Sequence, residues 1–505
     1  MAAKKRERMS SVDTAWLRMD RSSNLMMICG VLILREHITI GRLKPTITDR
    51  FLRFKRFRQR VAQTSAGAYW ETDSAFDLDA HVQRAKLRAR VGKVELEALV
   101  SQLMSTPLDP ERPLWQFHLI ERYDGGSAVV MRIHHCYADG IALMQVMLSM
   151  TDADRAGKRA GPVPPPRQTR AVDPDDPLAM LIEPMAGTLK LAMKTGTTLI
   201  EKGVALWHDP AKIVALAEQG GALTAEVAKL ALMGEDSRTR FKGKPGIAKR
   251  VAWAEPLPLP EIKAVGRALD CSVNDVLLSS VAGALRSYLQ RRGDNVDGVT
   301  LRALVPVNLR PPEKAWKLGN RFGLVFLDLP LGIENPVERL YAVRANMQQL
   351  KGSYQPLLAL AILAAMGAGP KMLQDQLLAA LARNATAVMT NVPGPQQPLY
   401  LAGAKIDSLM FWVPQSGDIG MGVSILSYNN EVQFGLVTDR KLCRDPDRVI
   451  ERFAPEFEKL LLATLLSPWP WETPPSPEQI ERLVTAALSA PARRPGAPSR
   501  RPART

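Results

Sequence analysis

Between Leu114 and Leu148 the sequence commits the chain to a strand that feeds directly into a helix through two adjacent histidines. Two apolar runs, Leu114 to Arg122 and Ser127 to Ile133, flank Asp124-Gly125-Gly126. This spacing predicts a β-hairpin, because glycine supplies the positive φ that a tight turn needs. The second run ends at Ile133, and His134-His135-Cys136-Tyr137-Ala138-Asp139-Gly140 follows. Ile141, Met144, Gln145 and Leu148 then recur at helical spacing. A strand, a short loop and a helix in this order belong to a mixed α/β fold. Loops held this way are where a rigid scaffold presents reactive groups to a cleft.

The chain has six histidines among 505 residues. A chance match to two adjacent histidines with Asp-Gly at this spacing is on the order of 10⁻³ or less at average residue usage. An imidazole of pKa ~6.5 is suited to take the proton of a hydroxyl as it attacks an acyl carbonyl. His135 is therefore the candidate general base, with His134 beside it. Asp139, at the helix start, can cap backbone N–H groups and hold the loop. Gly140 allows close backbone approach where a side chain would obstruct the cleft. A metal site is not expected, because adjacent histidines on an extended chain point apart and no carboxylate or cysteine cluster completes the ligand set. Cys136 is a rival as an acyl-enzyme nucleophile. It directly follows His135 and would point away from it, so it is read as a packing residue.

The length exceeds one ordinary core, so two domains with extensions are expected. Residues 1–150 read as an N-terminal α/β domain carrying the histidine motif. Residues 151–248 read as a Pro-rich linker (Pro162 to Pro166) and a helical connection over Leu178 to Met233. Residues 249–468 read as a second α/β domain, and 469–505 as a Pro- and Arg-rich tail expected to be disordered. In the second domain the first clear helix starts at Ser272, whose hydroxyl can cap it while Asp275 closes the box.

The net charge of +16 calls for an anionic partner, a membrane surface or a nucleic acid. Phe51, Phe54 and Phe57 recur among Arg53, Lys55, Arg56 and Arg58. Two readings stand side by side: a basic amphipathic stretch for a lipid surface, or a core helix with a solvated face. The longest apolar runs, Leu25 to Leu34 and Leu357 to Gly369, fall short of the ~18 residues of a spanning helix, so no transmembrane segment is expected. The four cysteines form no C-x-x-C pair, and reduced thiols in a cytoplasmic protein are the expectation.

An ordered set of further motifs accompanies the histidines: Ser11-Val12-Asp13, Pro113-Leu114-Trp115, Asn274-Asp275, Pro306-Val307-Asn308-Leu309-Arg310, Gly319-Asn320 and Asn391-Val392-Pro393-Gly394-Pro395. The set resembles the bacterial wax ester synthase/diacylglycerol acyltransferase family, a branch of the coenzyme A-dependent acyltransferases. The resemblance implies two similar chloramphenicol-acetyltransferase-like α/β domains with a central active-site tunnel. It implies transfer of a fatty acyl group from acyl-CoA to diacylglycerol or a long-chain alcohol in a ternary complex, with acyl-CoA as co-substrate and no resident cofactor. His135 would be the base, and Asn274 a donor to the developing oxyanion. Asp275 would either meet substrate or only complete its helix cap. Pro113-Leu114-Trp115 and Asn391 to Pro395 would be scaffold. The protein would sit peripherally on the inner membrane or on lipid inclusions, with no nucleic-acid partner. Two alternatives remain: a carrier-dependent condensation-type amide synthase sharing the histidine motif, and a non-catalytic basic membrane-binding protein.

Overall fold

A computed structural model describes residues 6–64, 67–85, 87, 92–157, 233–310, 318–351, 353, 355–368 and 371–466. The Pro162 to Pro166 linker, the helical connection and the basic tail fall outside these residues. In the first half, the elements that build the site are α1 (Ser11–Met19), β1 (Met27–Leu34), α2 (Lys93–Met104), β2 (Trp115–Tyr123), β3 (Gly126–His134) and α3 (Gly140–Met150). The second half supplies β4 (Lys249–Trp253), α4 (Val273–Arg291), β5 (Thr300–Asn308), β6 (Phe322–Pro330), α5 (Gln355–Ala368) and α6 (Lys371–Asn384). It ends with β7 (Ala387–Pro393), β8 (Ala404–Trp412), β9 (Met421–Tyr428) and β10 (Glu431–Asp439).

β2 and β3 form the hairpin predicted from Asp-Gly-Gly. Asp124 and Gly125 take φ of 44° and 79°. At Gly126 only glycine fits, since a Cβ would stand 2.0 Å from the Leu34 carbonyl oxygen. Every residue of β3 is buried, as a mid-sheet strand requires, and its second edge pairs with β1. α3 then starts where the Asp139 side chain accepts the Ala142 N–H.

The first sheet has six strands in the order Tyr400–Leu401, β8, β1, β3, β2, Val82–Arg84. β8 therefore crosses from the second half to complete the sheet of the first, so the sheets do not follow a division at 150 and 249. The second sheet runs β6, β5, β7, β9, β10, β4, with Leu257–Pro258 added beside β10. β7 is parallel to both β5 and β9, and the remaining pairs along this order are antiparallel. Both sheets lie in one compact unit that ends at Leu461. Of the second unit, Leu462 onward, only the end of the helix Phe453–Leu466 is described.

Between the two sheets lies an apolar layer that includes Val31, Val100, Val130, Trp253, Trp412 and Val437. α2 belongs to this layer through Leu96 and Val100, and it also covers the end strand β4. Glu97, Ser101 and Ser105 accept the backbone N–H groups of Trp253, Val251 and Lys249. Four helical residues rise about 6 Å and two strand residues about 6.7 Å, so a helix can match alternate strand residues over this distance.

The segment around Phe51 is not an amphipathic helix on a lipid surface. A helix over Ile40–Thr46 passes into a π-helical turn at Ile47–Phe51, and a 3₁₀ turn follows at Lys55–Arg58. Phe51 and Phe57 are fully buried and stack at 3.9 Å. Phe51 meets Trp115 and Phe117 edge-on, and Phe57 stacks on Tyr137. These rings are core because the chain turns inward twice and closes over them. Arg56 lies over the Trp70 ring at 4.3 Å and pairs with Glu7, while Arg53, Lys55 and Arg58 are exposed. Among the described residues no single helix is long and apolar enough to cross a membrane.

Candidate active site

The loop after β3 keeps its two histidines on opposite sides. The His134 N–H donates to the Leu114 carbonyl (2.9 Å) and the His135 N–H to the Met26 carbonyl (2.7 Å), which holds both residues extended. His134 faces inward: its Nδ1 accepts the Cys136 N–H at 3.2 Å, and its Nε2 lies 3.8 Å from Asp20. His135 instead borders a cavity shared by Trp16, Gly140, Asn308, Thr390 and Asn391. Burial pushes the His135 pKa down to about 4, the nearby Asp139 carboxylate opposing it in smaller part. A neutral imidazole at physiological pH is the form a general base needs.

Asp139 ties the loop to the second half of the chain. One carboxylate oxygen caps α3 through the Ala142 N–H at 2.9 Å. The other accepts from Arg310 Nη2 (2.7 Å) and from the Arg321 N–H (2.9 Å). The Arg310–Asp139 pair is buried on both sides. Gly319 closes the contact, its N–H donating to the Tyr137 carbonyl and its own carbonyl accepting from Asp139 N–H and Arg310. Asn320 Nδ2 donates both to the Asp13 carboxylate and to the His135 carbonyl, at 2.9 and 2.8 Å. Three of the sequence motifs, around Asp13, Arg310 and Asn320, thus converge on the histidine loop.

The other residues singled out from the sequence divide. A Cβ on Gly140 would meet nothing within 4 Å, so a side chain there would project into open space. Gly140 borders both the His135 cavity and an adjoining apolar one, lined by Leu143, Met144, Met147 and Phe411 among others. Asn274 does not line the His135 cavity; its side-chain oxygen accepts from Asn391 Nδ2, and Asn391 does line it. Asn391, read as scaffold, is therefore at the site. Asp275 forms the helix cap that was one of its two readings. Its carboxylate accepts the Ser272 N–H at 2.9 Å and completes a capping box, away from the cavity lining. The helix-cap reading accounts for it, because a carboxylate three residues into a helix is within reach of the cap. Cys136 is fully buried, and burial raises its thiol pKa well above the ordinary value, so the thiolate that a nucleophile requires is disfavoured.

Trp16, Thr390, Asn308 and Ser416 also line the cavity and were not legible as site residues. Motifs containing Asp13, Arg310 and Asn320 stood out in the sequence without a role. Their signal was order along the chain, and only the fold shows that they meet.

The chain matches the wax ester synthase/diacylglycerol acyltransferase catalytic domain over residues 9–277 and the WS/DGAT C-terminal domain over 318–461. A putative diacylglycerol O-acyltransferase of Mycobacterium tuberculosis is 30% identical over 430 residues, 80% of each chain. A probable diacylglycerol O-acyltransferase of the same species is 28% identical over 403 residues, 77% of this chain and 80% of that one. Among solved structures, the wax ester synthase/diacylglycerol acyltransferase from Marinobacter aquaeolei VT8 superposes with a TM-score of 0.63 at 22% identity, covering 91% of this chain and 100% of that one. A starter condensation domain of rhizomide synthetase, solved with C8-CoA, gives 0.54 at 12% identity, covering 91% and 95%. At these identities the superpositions show the fold, a two-domain α/β architecture of the acyltransferase and condensation-domain type. The catalytic-domain match covers more than half of the chain, and the protein is an acyltransferase belonging to the wax ester synthase/diacylglycerol acyltransferase family.

Proposed function

We propose that His135 is the general base for attack of a lipid hydroxyl on a fatty acyl-CoA, the acceptor being diacylglycerol or a long-chain alcohol. The carrying observation is a neutral, buried imidazole at the wall of a largely apolar cavity. In this reading His135 Nε2 takes the hydroxyl proton as the new C–O bond forms. The C–S bond then breaks, and the departing CoA thiolate recovers that proton. Both substrates are bound together, since Cys136 is a poor nucleophile and no acyl-enzyme is required. Asn391, held by Asn274, offers its second N–H to the developing oxyanion. Asp139 and His134 shape the loop, and Gly140 leaves space beside the reacting carbon. A condensation-type reaction on carrier-bound substrates shares the fold, but the family match favours free acyl-CoA.

The test is turnover of palmitoyl-CoA with diacylglycerol and hexadecanol in parallel, measuring free CoA and ester. His135→Ala is expected to lose about 10²- to 10⁴-fold in rate while staying folded. His134→Ala is expected to be milder. Full turnover by a folded His135→Ala protein would remove His135 from the chemistry.

The enzyme is further proposed to meet its lipid substrates at an anionic surface, peripherally. The support is the charge of +16 and the exposed Arg53, Lys55 and Arg58. Each such cation near an anionic membrane contributes about 1 kcal/mol and is screened by salt. Replacing these three by Gln should weaken sedimentation with phosphatidylserine vesicles and leave detergent-dispersed turnover unchanged. Equal binding by the variant would exclude this cluster as the contact.

A further inference from the structure

Among the described residues no carboxylate is hydrogen-bonded to the His135 ring in the manner of a catalytic triad. Its Nδ1 is buried and has no hydrogen-bond partner among the described residues. The neighbouring Asp139 carboxylate is engaged by Ala142, Arg310 and the Arg321 N–H. A base whose ring can turn about its side-chain bonds presents its lone pair to the substrate only part of the time, and loss of alignment is costly to rate. The contacts that hold this ring are aromatic, the Trp16 indole of α1 foremost.

The Trp16 indole lies on the His135 imidazole with centroids 4.1 Å apart and planes 21° from parallel. The Phe322 ring lies beside the stacked pair, 5.7 Å from each. Trp16 is 6% exposed, so the stacked face of the imidazole is dry. The same helix also fixes the backbone below the ring. Asp13 Oδ1 accepts the Asn320 N–H at 3.1 Å and its Nδ2 at 2.9 Å, and that Nδ2 also donates to the His135 carbonyl. From the opposite side the Met26 carbonyl holds the His135 N–H. α1 is itself anchored, since Gln374 donates to the Ala15 carbonyl and Arg18 to the Gly367 carbonyl. At Gly367 a Cβ would fall 1.6 Å from the Ser11 carbonyl oxygen, which shows how closely α5 and α1 approach.

We propose that Trp16 is a positioning residue for the reaction: its indole fixes the plane of the His135 imidazole and keeps water off that face, over a backbone clamped by Asp13 and Asn320. The proposal rests on the reading of His135 as the base, and the experiment separates the two.

Trp16→Leu keeps an apolar side chain and removes the flat face. It is expected to lower kcat by about ten- to a hundredfold, with little change in the KM for palmitoyl-CoA. It should also gain an acid limb between pH 5 and 7 that the parent lacks, because a hydrated imidazole returns towards its ordinary pKa of ~6.5. Trp16→Phe, which keeps a flat ring, should restore most of the rate and the parent's pH profile. Trp16→Met, apolar and without a flat face, is read in the same way should the leucine variant fail to fold. A folded Trp16→Leu or Trp16→Met protein with parental kcat and pH profile overturns the proposal. So does equal impairment of the Leu and Phe variants with an unchanged profile, which would make the indole a space-filler. An inactive His135→Ala beside an unaffected Trp16→Leu removes the positioning role alone. An active His135→Ala removes both.

Discussion

Three buried histidines, His81, His118 and His135, have pKa values lowered first of all by burial, the last two to about 4. In the unfolded chain each would titrate near ~6.5. Above that pH both states are neutral and the folded protein loses nothing. As pH falls from ~6.5 towards 4, the unfolded chain takes up protons that the folded one does not, so stability declines across that window. Glu97 works in the opposite sense, because burial raises its pKa to about 7 and the folded state binds its proton early. A comparison at one residue isolates the effect. Between pH 7 and 4.5, the wild type should lose more stability in urea than His118→Gln, by on the order of 2 kcal/mol. Parallel losses in the two proteins would mean that His118 is not held neutral in the fold. At this scale the sequence was informative where a residue's role is local. The Asp139 cap and the Ser272–Asp275 box both depend on neighbours within a few positions, and each formed as read. Trp16 was silent and Asn320 stood out without a role, because their partners lie more than a hundred residues away.

The helix α2 shows the same division at the level of an element. Its apolar stripe was legible by period, with Leu96 and Val100 buried and Leu99 and Leu103 packed against the same cluster. Its polar line of Glu97, Ser101 and Ser105 carried no periodic signal that distinguished it from a solvated face. Only the sheet shows that these side chains satisfy the outward N–H groups of β4. Removing one acceptor should therefore cost more than a surface change. Ser101→Ala is expected to destabilise by about 1–3 kcal/mol, because it strands the Val251 N–H in a buried layer. Exposed Gln102→Ala should stay within about 0.5 kcal/mol of wild type. Amide exchange at Val251 gives a second measurement, and unchanged protection in Ser101→Ala would show that the hydroxyl is dispensable there. The Phe51 to Phe57 segment is the converse case. Its three-residue spacing reads equally as surface or core, and the choice is made by two turns whose geometry the spacing does not encode.

For the whole molecule, the mixed α/β class and the histidine loop's place between a strand and a helix followed from pattern alone. The two sheets do not keep to sequential halves of the chain, because strand partners are chosen by packing across the molecule and not by proximity in sequence. β8 is the particular instance: it pairs with β1 from Ile406–Leu34 to Trp412–Cys29. During synthesis β1, β2 and β3 have all emerged by His134, whereas Trp412 is added some 280 residues later. At roughly 5–20 residues per second, the growing chain carries the apolar edge of β1 uncovered for roughly 15–55 s. An uncovered strand edge invites pairing with other chains. The nascent chain thus builds the first strands of this sheet early and closes it late, an interval in which a chaperone that shields strand edges would find its natural client.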